Sequence, residues 1–166
     1  MPPIAAADAS QADGTPPVAD DAAGTVPARP LDAGRAANLK QTASVRGRVV
    51  WIGDALDRRF GIALDPQAKE RMLALETDDG QLLPLVEDTR GRAFRRDPRL
   101  RDRDVELLVR QLPGTGLIQV IRVHFIKPDG KFVVDYWCDI CAIAMYEDGP
   151  CQCCQQPNQL RERPVD

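Results

Sequence analysis

Apolar and polar positions alternate with a period of two over residues 45–52. Val45, Gly47, Val49 and Trp51 share one face, and Arg46 and Arg48 share the other. Such alternation predicts a half-buried strand, with Gly47 as a bend or bulge. A polar stretch over 53–64 follows, holding Asp54, Asp57, Arg58, Arg59 and Phe60, and is expected to be a loop. Asp65-Pro66 marks the start of a short helix, because proline suits the first helical position. The apolar runs 71–77 and 81–87 flank Asp78-Asp79-Gly80, the signature of a hairpin turn. Pro84 cannot donate to a ladder, so the second run is an edge strand or is broken there.

Over 92–99 a short helix or turn is expected, ending near Asp97-Pro98. Val105, Leu107 and Val109 then alternate as a strand. After the Pro113-Gly114-Thr115-Gly116 turn, residues 117–127 are apolar on both faces, as in a central strand. Pro128-Asp129-Gly130 makes another turn, and 131–137 forms the last predicted strand. Residues 1–40 are rich in Ala, Pro, Asp and Gly. They hold too little apolar surface to offset the entropy of ordering, so a disordered tail is expected. A short helix over 31–40, capped by Asp32, is the one element foreseen in it.

This order of strands, with a helix between the third and fourth, resembles the OB-fold, a five-stranded Greek-key barrel, over residues 45–127. The resemblance rests on element order and turn glycines; small SH3-like barrels fit nearly as well. It implies a mainly β fold: an OB-like barrel of five to six strands over 41–130, a tail over 1–40, and a C-terminal strand with a cysteine-rich knuckle over 131–166.

All five cysteines fall between 138 and 154. Cys138 and Cys141 are spaced C-x-x-C, and so are Cys151 and Cys154. Each such turn brings two sulfurs to one ion, and two turns supply the four thiolates of a tetrahedral zinc. The cluster is therefore zinc-ribbon-like or zinc-knuckle-like. One structural zinc is expected on Cys138, Cys141, Cys151 and Cys154. Cys153 is an alternative fourth ligand, since C-x-C also chelates, and the spacing leaves that choice open. Four thiolates leave no coordination position for substrate.

Three other readings of the cysteines compete. Trp137-Cys138-Asp139-Ile140-Cys141 resembles the W-C-x-x-C of thioredoxin-like oxidoreductases, which implies a thiol–disulfide exchange centre at Cys138 and Cys141. The C-x-C-C run would suit Cu(I). Two disulfides with a spare thiol would need an oxidising compartment.

Charge narrows the function classes. Formal net charge is −3 over 166 residues, and the tail carries more than that, with five aspartates against Arg29 in residues 1–34. The remainder is close to neutral and offers no general attraction to nucleic acid or to an anionic membrane. Residues 90–103 hold seven arginines, but six acidic residues lie between Glu87 and Glu106. Ion pairing is the simpler reading. Single-strand binding by an OB barrel also calls for aromatic platforms, and residues 61–93 contain none. His124 shares a strand face with Arg122 and is expected at a wet barrel rim. Asp54, Asp57 and Asp65 are explained by loop and cap roles.

No apolar run is long enough to span a bilayer, and the N-terminus lacks a signal-peptide pattern. The sequence thus points to a soluble, non-enzymatic binding or scaffold module whose partner is a protein. A single-stranded nucleic-acid binder is the alternative, and clustered reduced thiols favour the cytoplasm.

Overall fold

The computed structural model describes residues 42–165. The expected tail over 1–40, with its helix over 31–40, lies outside them. Eight strands form a single antiparallel sheet: β1 (Thr42–Trp51), β2 (Leu73–Thr77), β3 (Leu82–Pro84), β4 (Asp104–Gln111), β5 (Ile118–Lys127), β6 (Gly130–Cys138), β7 (Ile143–Met145) and β8 (Gln159–Pro164). Helices α1 (Ile52–Phe60), α2 (Pro66–Lys69) and α3 (Thr89–Arg96) and a 3-10 turn (Pro98–Leu100) complete it.

The sheet runs β3-β2-β1-β4-β5-β6-β7, with β8 paired to β6 off this path. It is not closed into the expected barrel. Where closure would occur, β5 meets the chain just after β3 in one isolated parallel bridge, Leu85 to Ile118, with Val86 N–H donating to the Ile118 carbonyl at 2.9 Å. The reason lies in β3. It is three residues long and ends at Pro84, which has no N–H to extend a ladder. Two strands beyond the expected last one, β7 and β8, also lie past the first cysteine pair.

The β1 alternation sends Val49 into the core, beside Leu73, Leu75, Val105, Leu107 and Phe125. Phe94 of α3 joins the same core and is fully buried. Gly47 pairs with Thr77 on one edge and Val105 on the other. A side chain there would sit 2.1 Å from the Glu76 carbonyl oxygen, so only glycine fits where the two strands close in.

The stretch after β1 is a helix, not the expected loop. Gly61, at φ 65°, ends α1 by donating its N–H to Asp57 and is followed by Ile62 donating to Leu56. With no side-chain cap at Trp51, the helix had no N-terminal signature to read. Asp65 does cap α2, accepting from Gln67 N–H at 2.8 Å. His124 is another departure: it is 8% exposed, with Nδ1 3.3 Å from the Glu106 carbonyl, and burial lowers its pKa.

Three carboxylates are buried, each paired with at least one Lys or Arg. Asp97 accepts from Arg99 and from Tyr136 Oη at 2.7 Å. Asp135 is bidentate to Arg161, at 2.9 and 3.0 Å, and also accepts from Arg163. Glu106 pairs with Arg46 and Lys131. Burial works against the charge of Asp97 and Asp135, but their donors outweigh it and hold both pKa values below the ordinary 3.8. Lys131 and then Arg46 do the same for Glu106, below 4.5.

Gly47→Ala forces the Glu76 carbonyl out of its ladder and is expected to destabilise by about 2–4 kcal/mol, read from urea unfolding midpoints. Because the three folded-state pKa values lie below the unfolded ones, the stability they confer is complete above pH 4.5. It is lost as pH falls below the ordinary values towards the folded ones. Denaturation midpoints measured from pH 6 to pH 3 should therefore fall steeply below pH 4.5, and Asp135→Asn should flatten that fall.

Candidate metal centre

Strand β6 delivers Cys138 at its last residue, with the side chain buried. A tight turn follows and leads into β7, which pairs back on β6 from Cys138–Ile143 to Tyr136–Met145. In this turn Ala142, at φ 53°, donates its N–H to the Cys138 carbonyl at 2.8 Å. The second turn has the same construction. Gln155, at φ 62°, donates to the Cys151 carbonyl at 2.9 Å. The two C-x-x-C segments are thus built alike, each with a left-handed residue just after its second cysteine.

The turns also treat their first sulfurs alike. Backbone N–H groups of Cys141 and Ile140 stabilise a Cys138 thiolate, and those of Cys154 and Cys153 stabilise a Cys151 thiolate. For Cys151 this lowers the pKa to about 7. For Cys138 the Cys141 N–H is outweighed by burial and the neighbouring thiols, and its pKa is raised. Contact with the Cys153 and Cys154 thiols pushes Cys141 up strongly. Four thiols this close cannot all ionise unaided, and a cation among them removes that obstacle.

The Sγ atoms of Cys138, Cys141, Cys151 and Cys154 all lie within 4.8 Å of one another, and Cys138 and Cys154 are 3.5 Å apart. Bonds of about 2.3 Å in a tetrahedral zinc thiolate imply sulfur separations of about 3.8 Å, so the arrangement fits such an ion. Cys153 is exposed and stands outside this group. Among the described residues no His, Asp or Glu joins the four sulfurs, His124 included. All five cysteines are free thiols. The Cys138–Cys141 turn runs into a strand rather than a helix N-terminus, unlike the thioredoxin-type setting its sequence resembles.

Side chains outside the cysteines hold the cluster in place. Asn158 donates to the Glu147 carbonyl at 3.0 Å and accepts from Gly149 N–H at 3.2 Å, fastening the loop before Cys151 to the segment after Cys154. Glu147 takes two bonds from Arg92 of α3 at 3.0 and 3.2 Å, with Arg96 3.6 Å away. Arg90 stacks on Tyr146 at 3.7 Å. Two residues before Cys138, Tyr136 is tied to Asp97. None of Tyr136, Glu147 and Asn158 stood out in the sequence. The usable signal was Asp97-Pro98, a cap that was bound to be buried once it also met a tyrosine.

The arginine-rich segment is largely consumed by such contacts. Arg95 pairs with Glu87, Arg99 with Asp97, and Arg101 donates to the Phe94 and Arg95 carbonyls. No family model, curated protein or solved structure matches the chain.

Serine substitutions separate the ligand set. Cobalt(II) added to the reduced protein should give the visible absorption of a tetrahedral thiolate complex. Cys153→Ser should keep the full intensity, and Cys154→Ser should lose most of it. The reverse result would exchange the two as fourth ligand.

Proposed function

We propose that the protein is a non-enzymatic binding module in which one structural zinc, held by Cys138, Cys141, Cys151 and Cys154, staples a C-terminal ribbon onto the rest of the open β-sheet. The observation that carries this reading is the convergence of the four sulfurs within 4.8 Å from two turns of the same construction. A four-thiolate set leaves no open position for water or substrate, which favours a structural ion over a catalytic one. The preference for zinc over Cu(I) rests on the four-fold, two-turn donor set.

The body that carries the ribbon is an open sheet: β1 pairs with both β2 and β4, and β4 with β5. The ribbon is the three strands β7-β6-β8.

A protein partner is favoured over nucleic acid. Ile140, at the tip of the first cysteine turn, is 70% exposed, and Ile143 of the same ribbon is also open. Apolar side chains held out by a rigid support suit a protein interface. Most arginines of 90–103 are engaged by carboxylates or carbonyls, which leaves few free cations to track a phosphate backbone.

Protein purified without added metal should return about one zinc per chain by elemental analysis. Stripping it with a chelator should lower the melting temperature and release the ribbon first, seen as faster amide exchange over 138–160 than over β1 and β4. Metal-free protein with unchanged melting would refute the staple. Reversible formation of a Cys138–Cys141 disulfide in the native protein would favour thiol exchange instead.

A further inference from the structure

We propose that the cavity between β5 and β6 binds a small organic acid, an apolar body carrying one carboxylate. The cavity follows from the strand register. β4 pairs Leu108 with Arg122 and Val109 with Val120, so Ile121 is an extra residue bulged out of β5. A bulge bends and twists its strand. The β5–β6 ladder stops short of it, running from Lys127–Gly130 only as far as His124–Val133. β6 then continues with β7 on that same edge, from Tyr136 onward. Between these two ladders a space of about 450 Å³ opens. That volume lies within the range of small-molecule sites, about 300–1,000 Å³.

Its lining is consistent with one ligand chemistry. Ala93, Leu100, Ile121, Val123 and Val134 supply an apolar interior, and Tyr146 an aromatic face. Three guanidiniums also line it, from Arg90, Arg122 and Arg163. The sole carboxylate of the lining is Asp135, which already carries Arg161 and Arg163. Arg90 and Arg122 have no acidic partner among the described residues, although thirteen other Lys and Arg side chains do. An apolar space with two uncompensated cations selects against neutral and cationic ligands. It suits an acid whose carboxylate meets Arg122 or Arg90 while its body displaces water from the valines. No cysteine takes part, so the proposal stands apart from the metal reading.

The probe is 4-phenylbutyrate, titrated calorimetrically into the full-length protein, with its neutral amide as control. Saturable one-to-one binding is expected, with the amide weaker by about tenfold or more. Arg122 is exposed and unpaired, so Arg122→Gln should fold normally and weaken the acid by about tenfold, while Arg122→Lys restores part of it. Ala144 sits at the exposed mouth, and Ala144→Phe should block binding while leaving zinc content unchanged. Equal binding of acid and amide, no effect of Arg122→Gln or of Ala144→Phe, or no binding by the wild-type chain would each overturn the proposal.

Discussion

One strand, β6, carries the whole C-terminal part of the sheet. β6 pairs with β5 along its first half, with β7 along its second half, and with β8 on its opposite edge. Phe132 and Val133 have partners in both β5 and β8, and Tyr136 and Trp137 in both β7 and β8, which is what assigns the two edges. Buried backbone N–H and C=O groups must be paired. A strand loaded on both edges is therefore held from both sides, and the cysteine that ends it inherits that fixed position. The first cysteine turn is built on the best-anchored strand of the ribbon.

The second half of the cluster reaches the same place by a different route. It sits on a loop between β7 and β8 that has little core of its own. Its anchors are polar: Asn158 within the loop, and Glu147 against Arg92 and Arg96 of α3. Exposed ion pairs of this kind are individually worth little. Bidentate geometry and a fixed helix make them useful for positioning rather than for stability. The buried Tyr136–Asp97 bond, which also raises the tyrosine pKa through burial and the neighbouring carboxylate, is the stronger tie between ribbon and helix. These contacts bring the two turns towards each other, and the zinc proposed above would lock them in place.

The same division of β6 between two partners on one edge has a second consequence. Strands β5 and β7 cannot both continue along that edge, so a gap is left where one ladder ends and the other begins. The Ile121 bulge lies at its edge. The cysteine cluster and the cavity are thus two outcomes of one strand arrangement, with the cluster at the strand's end and the cavity at its middle.

The cysteine spacing, the alternation of β1 and β4, the Asp78-Gly80 turn and the two-faced apolar run of β5 were all legible in the chain, because each depends on residues close together in sequence. Local pattern also sufficed to show that the arginines of 90–103 had acids enough nearby. What it could not show was which acids: Arg92 and Arg96 meet Glu147, some fifty residues away. It left Cys153 and Cys154 equivalent, since only the folded turn, with Gln155 in a left-handed conformation, places the Cys154 sulfur within the four-sulfur group and leaves the more exposed Cys153 outside it. The burial of His124, the failure of the sheet to close at β3 and the gap beside Ile121 likewise depend on strands meeting across long separations. Short-range chemistry decided what each segment could be; pairing between distant strands decided where each was put.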